Sequence, residues 1–251
     1  IHMHTFAVRY PAVPGFRRSA MKRLPAAAIL LLLSLAFPPS ASPRPASGEY
    51  EVFPAKRMNV VDICFRGGDV WYSLDSSVLR ENSGNGSFTY YRTKNELPDG
   101  PIRAVFTDSK GSIWVASGQG VSRFDGAAWT HYLSDSAFDA STTYDIAEDG
   151  QGVIWFATWN GVRAFDGTKW QKWRDEIPGV VAYHIAVGKN GAKWFGTDKG
   201  LVRYDGTEWK SIGAQECVRA VFVDSKDRVW VLYANDKPTV HLDVITGETV
   251  T

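Results

Sequence analysis

Arg103, Tyr144, Tyr183 and Arg219 stand at corresponding points of four repeated units in a sequence of 251 residues. The residues that follow them are Ala104, Asp145, His184 and Ala220, and the preceding unit has Val61 and Asp62 at the same place. Guanidinium groups make charge-assisted hydrogen bonds to anions. Phenol rings add flat, amphipathic faces on which a sugar ring can stack. An aspartate beside a histidine, here Asp145 and His184, is the pair from which acid–base chemistry would have to be built. The competing expectation is that these side chains only fill and solvate a surface depression. Which one holds depends on whether the scaffold gathers them on one surface.

That scaffold is legible in the tryptophans. Trp71, Trp114, Trp155, Trp194 and Trp230 recur at spacings of 43, 41, 39 and 36 residues, each inside a short apolar run. A period near 40 with strand-type chemistry marks a β-propeller blade. The expected fold is therefore all-β, with four-stranded antiparallel blades, most economically five. In the third unit the expected strands are 144–147, 153–157, 162–165 and 170–173. Asp166-Gly167 reads as a two-residue hairpin turn with both residues at positive φ. The repeated tryptophans, the glycines Gly120, Gly161 and Gly200, and the Phe-Asp-Gly turns are expected to be structural, since each blade buries both faces against its neighbours. In such a ring, the starts of the innermost strands and the turns joining second and third strands share one end of the central channel. The aligned residues would meet there, and Trp159, the large aromatic in one of those turns, would extend the same platform. The expected ligand-binding set is Arg103, Tyr144, Asp145, Trp159, Tyr183, His184 and Arg219.

The outer units are less regular. The first has a Ser83-Gly84-Asn85-Gly86 turn before Phe88–Tyr91, and the last stops where its fourth strand would begin. Tyr50–Phe53 resembles a fourth strand lacking its three partners, so the expectation is that it closes the last blade. A fragment of a longer propeller is the competing account. Ahead of the repeats, Met21-Lys22-Arg23, an apolar run from Ala26 to Phe37 and a Pro/Ser/Ala stretch to Gly48 have the layout of a secretory signal peptide. The division expected is an upstream extension at 1–20, signal peptide and linker at 21–48, and one propeller domain at 49–251. The location expected is periplasmic or secreted, with membrane attachment only if the signal segment stays uncleaved.

Six of the 28 basic residues and none of the 27 acidic ones lie in 1–48, which leaves the propeller with a net charge of −5. That balance argues against nucleic acid, whose phosphates need a clustered basic surface. Cys64 and Cys217 either pair or serve as small buried hydrophobes.

The repeat resembles the two-component regulator propeller repeat. Its pattern runs from Ile102 through Asp108, Gly111, Ile113-Trp114-Val115 and Ser117 to Gly120-Val121, and recurs around Asp149, Gly152, Trp155, Thr158 and Gly161. The fourth unit has Gly188 in place of the aspartate, and the fifth has Asp227 in place of the glycine. The resemblance extends over about 200 residues. It implies the propeller fold and a bacterial, extracytoplasmic, sensor-type role. No kinase, transmembrane or DNA-binding segment accompanies the repeats, so sensing, scaffolding or ligand capture is expected rather than direct signalling.

Other chemistry finds little support. There is no His-Glu-x-x-His, no Cys-x-x-Cys pair, no phosphate-cradling glycine loop and no Gly-x-Ser-x-Gly elbow. His131, His184 and His241 fall in different units, so no metal site is expected. The Asp-x-x-Gly turns at 108–111 and 149–152 each offer one carboxylate where calcium needs six or more oxygens, and they read as solvent-facing turns. No cofactor or catalytic residue is expected. The function expected is a non-catalytic, sensor-like binding module for a small ligand, glycan or protein partner at the channel mouth. The alternatives are a propeller lyase or glycoside-acting hydrolase, or a piece of a longer multi-propeller sensor.

Overall fold

The structure, a computed structural model, describes residues 59–93, 96–133, 138, 142–177, 179, 181–233, 241–246 and 249–250. All of them belong to one compact unit, Glu51–Thr251. The expectations for the extension at 1–20, the signal peptide at 21–48 and the closing strand Tyr50–Phe53 lie outside the described residues.

The described strands form five antiparallel sheets, each of four strands in sequence order. Blade 1 is β1 Val60–Arg66, β2 Asp69–Leu74, β3 Ser77–Glu81 and β4 Phe88–Arg92. Blade 2 is β5 Ile102–Thr107, β6 Ile113–Ser117, β7 Gly120–Phe124 and β8 Trp129–Leu133. Blade 3 is β9 Thr143–Glu148, β10 Ile154–Thr158, β11 Gly161–Phe165 and β12 Trp170–Trp173. Blade 4 is β13 Ala182–Val187, β14 Lys193–Thr197, β15 Gly200–Tyr204 and β16 Trp209–Ile212. Blade 5 is β17 Val218–Val223, β18 Val229–Tyr233, β19 His241–Thr246 and β20 Thr249–Val250. The outer position of blade 5 is thus taken, over two residues, by the end of the chain itself. The first strands are neighbours in succession, β1 to β5 to β9 to β13 to β17.

The core lies between blades. Trp71 packs with Val105 of the next blade, Trp114 with Ile146, Trp155 with Ile185 and Trp194 with Val221. Four of the five repeated tryptophans are almost fully buried by these contacts, and removing one such side chain costs about 3–5 kcal/mol. The turn glycines are needed for two reasons at once. Gly161 has φ +88°, and a Cβ there would run into the carbonyl oxygen of Trp173. The Ser/Thr three residues earlier closes the same turn, as in Thr158 Oγ1 donating to Gly161 O at 2.7 Å.

Two expectations about turns are corrected. Asp108 and Asp149 are buried rather than solvent-facing. Each carboxylate accepts the indole N–H of the tryptophan six residues on, Trp114 and Trp155, at 2.9 Å, and Asp224 accepts that of Trp230 at 3.1 Å. The other oxygen takes backbone N–H groups of its own turn, such as that of Ser112. The aspartate therefore latches the turn to the blade core. In the Phe-Asp-Gly turns only the glycine has positive φ, +114° at Gly126, +100° at Gly167 and +110° at Gly206. The aspartate instead accepts the N–H groups two and three residues on, those of Ala127 and Ala128 in the case of Asp125.

Candidate functional site

Every innermost strand contains a β-bulge at the same place. Register slips by one residue at Val61, Arg103, Tyr144, Tyr183 and Arg219. A bulged residue has no partner opposite it and its side chain is re-aimed away from the regular pleat. The repeats differ in residue type at these five positions, where a bulge frees the side chain from the regular pleat.

Three of the five bulge side chains are in contact in series. The rings of Tyr144 and Tyr183 meet edge to face with centroids 5.4 Å apart. The guanidinium carbon of Arg219 lies 4.1 Å from the centre of the Tyr183 ring. Burial first, then the neighbouring Tyr183, push the Tyr144 hydroxyl above its ordinary pKa, while the positive charges of Arg103 and Arg219 oppose the shift. Arg103 and Arg219 are exposed and the two tyrosines half-buried. The result is a chain of contacts over blades 3 to 5, Tyr144 to Tyr183 to Arg219, with Arg103 at the matching bulge of blade 2 and its charge felt at Tyr144.

One residue along each strand lies a second layer. Asp145 accepts the N–H of Ile146 and, across to the next blade, that of Ile185, both at 2.9 Å. Asp62 repeats the arrangement with Ile63 at 2.8 Å and Val105 at 3.0 Å. Both aspartates clamp one inner strand to the next. Burial raises the pKa of each; for Asp62 the charge of Asp145 adds to this, and for both the backbone N–H groups and His184 oppose it. His184 Nδ1 lies 3.1 Å from Asp145 Oδ2, off the line that a hydrogen bond requires. Asp62 was not among the expected site residues, although it shares an alignment column with Asp145, and that column was the signal that would have found it.

Trp159 sits at the same end. Its backbone N–H bonds to Thr142 O, just before β9, at 2.8 Å, as Gly118 does to Pro101 and Asp198 to Val181. Its side chain is 53% exposed. The side chain of His241 lies outside the described residues. Cys64 and Cys217 are both unpaired, and burial pushes the Cys64 thiol up to about 11.

The arrangement offers two exposed cations and two aromatic rings, groups suited to an anion or a polar ring. It is less suited to proton transfer, because both oxygens of Asp145 are engaged by backbone N–H groups.

Comparison with known proteins agrees with this architecture. The family model described as "Two component regulator propeller" matches residues 96–119 and 138–160, in blades 2 and 3. No curated protein matches the chain. Among solved structures, the extracellular domains of two hybrid two component systems from B. thetaiotaomicron superpose with TM-scores of 0.62 and 0.59 at 16% and 18% identity. The matches cover 76% and 69% of this chain but 29% and 26% of those domains. A catalytically inactive virginiamycin B lyase from Staphylococcus aureus, with quinupristin, superposes with a TM-score of 0.66 at 17% identity, covering 79% of this chain and 70% of the lyase. Identities this low carry the fold and no more. The chain carries two-component regulator propeller repeats on an all-β, propeller-type fold.

Proposed function

We propose that this chain is an extracytoplasmic, sensor-like binding module that takes an anionic ligand at the bulge-lined end of its inner strands, without transforming it. The observation that carries this reading is the row Arg103, Tyr144, Tyr183, Arg219, assembled from one bulge in each of four blades. Arg219 is held against Tyr183, so its guanidinium is partly ordered before a ligand arrives, which lowers the entropic cost of binding. Trp159 adds an exposed ring at the same end. The likeness to extracellular domains of two component systems supports the location and the sensor-like role. A thermal-shift screen with carboxylated, sulfated and phosphorylated sugars and their neutral counterparts tests it. Stabilisation by acidic members, lost in Arg219→Ala, supports the reading; a wild-type protein indifferent to every member contradicts it.

A second reading, a propeller lyase, is favoured by one contact, His184 Nδ1 at 3.1 Å from Asp145, and by the likeness to virginiamycin B lyase. Incubation with quinupristin separates the two. Consumption of quinupristin that disappears in His184→Ala supports a lyase, and intact quinupristin removes that reading.

A further inference from the structure

The residue that follows each bulge is Asp62 in blade 1, Ala104 in blade 2, Asp145 in blade 3, His184 in blade 4 and Ala220 in blade 5. Arginine occupies the bulge itself in blades 2 and 5, the two in which alanine follows it. These two successive positions of the inner strands therefore carry two guanidinium groups, two carboxylates and one imidazole. With the imidazole neutral, the two positive and two negative charges balance. Arg103 and Arg219 then attract an anion against the opposing field of Asp62 and Asp145. One proton taken up by a carboxylate or by the imidazole tips that balance to a net positive charge.

The three acid–base groups act on one another across blades. His184 Nδ1 is buried, lacks a hydrogen-bond partner among the described residues, and stands 3.1 Å from Asp145 Oδ2. A proton on that nitrogen, with a small rotation of the ring, turns the contact into a charge-assisted hydrogen bond. The charges of Asp145 and His184 both reach Asp62. Burial pushes the two carboxyls above their ordinary pKa, which also favours holding a proton here. From the other inner strands, β5 and β17, the charged groups at this level are Arg103 and Arg219, both felt at Tyr144, the chain neighbour of Asp145. We propose that anion capture at the bulge row is coupled to proton uptake by the Asp62–Asp145–His184 cluster, so that capture strengthens as pH falls. The coupling rests on the anion-binding reading above and adds a condition to it. By linkage, a bound anion strengthens proton binding by the same factor as the proton strengthens anion binding.

Inorganic sulfate is the probe, because it keeps its charge between about pH 5 and pH 8, the range in which imidazoles change theirs. Isothermal titration into the full chain is expected to show about 10-fold tighter binding at the acid end, the worth of one unit charge about 10 Å away at an effective dielectric of about 20. Titrations between those limits, in buffers of different ionisation enthalpy, are expected to show net proton uptake on binding. His184→Gln alters a side chain that is 40% exposed and is expected to flatten the pH dependence. Asp145→Asn is expected to tighten sulfate binding at the alkaline end toward the acid value; should it fail to fold, proton uptake by wild type still decides. Arg219→Ala is expected to lose sulfate throughout, which assigns the binding to the bulge row, and retention there overturns the proposal. Equal affinity of wild type at both ends with no proton uptake, or a pH dependence unchanged in both His184→Gln and Asp145→Asn, overturns the coupling and leaves the anion reading standing. Sulfate that fails to bind wild type at any pH removes both.

Discussion

Arg219 lies over Tyr183, its guanidinium carbon 4.1 Å from the ring centre, although the two residues belong to neighbouring blades. A cation held over an aromatic face gains about 0.5–1 kcal/mol when exposed. Small as it is, that contact fixes where the positive charge points. Tyr183→Leu is therefore expected to leave stability within about 0.5 kcal/mol while weakening capture of an acidic sugar about 3-fold, in line with loss of the cation–π term. Paired urea melts and titrations of Tyr183→Leu and wild type check both halves.

Asp149 and Asp108 make the same latch to tryptophan, but only Asp149 also faces a lysine. Lys193 Nζ lies 3.0 Å from it, and both side chains are almost fully buried. Asp149→Asn strands that lysine and is expected to cost about 3 kcal/mol. Asp108→Asn, which breaks no ion pair and weakens only the bonds its carboxylate accepts from the uncharged donors of the turn and the Trp114 indole, is expected to cost about 1.5 kcal/mol. Urea unfolding of the two variants side by side measures the difference, and equal losses would remove the role given to Lys193.

Asp145 and Asp149 are expected to act on stability in opposite senses as pH changes. Burial raises the pKa of Asp145 in the folded chain above its ordinary 3.8, so the unfolded chain releases that proton first and stability falls as pH rises from about 3.8 through the folded value. For Asp149 burial also works against the charge, but the Trp155 indole, Lys193 and two backbone N–H groups outweigh it and lower the pKa. Its contribution is present above 3.8 and lost as pH falls through the folded value. Relative to wild type, Asp145→Asn should gain stability as pH rises from about 4, and Asp149→Asn should lose least at the acid end. Denaturant midpoints from pH 3 to pH 7 (spanning roughly the carboxylate range) test this, and parallel curves for the two variants would refute it.

Gly161 and Gly206 both have positive φ, yet only Gly161 lies against backbone. No atom stands within 4 Å of a Cβ added at Gly206, whereas one at Gly161 meets Trp173 O. Gly206→Ala is expected to cost about 1 kcal/mol from conformation alone, and Gly161→Ala at least 3 kcal/mol, since the neighbouring strand must also shift. Thermal unfolding midpoints rank them, and the reverse order would contradict the placement of the clash.

How far the sequence led is clearest residue by residue. The tryptophan period located all five blades because a propeller reuses one packing solution, and Trp71 to Trp230 are its repeated plug. Local geometry was less legible. Asp125 and Asp166 next to glycine look like the centre of a tight turn, but their carboxylates cap the turn from one residue earlier. Asp108 looked like a surface residue because its partner, Trp114, comes within reach only when the hairpin closes. The bulges at Arg103, Tyr144, Tyr183 and Arg219 have no residue signature of their own, since a bulge is a property of two paired strands. Their positions emerged from misfit between the repeats, and three of those residues, Tyr144, Tyr183 and Arg219, are in contact. Asp62 was passed over because its unit is the least regular, although its two hydrogen bonds match those of Asp145.

The central claim is that the two arginines at the ends of the bulge row hold an anion. Isothermal titration of carboxylated, sulfated and phosphorylated sugars into wild type and into Arg103→Ala/Arg219→Ala measures it most directly. Hydrogen bonds to charged groups contribute about 1.5–3 kcal/mol each, so the double variant should bind the acidic sugars at least 100-fold more weakly. Its unfolding midpoint should stay near that of wild type, because both arginine side chains are exposed. Equal affinity in the two proteins, or saturable binding of neutral sugars alone, would contradict the account.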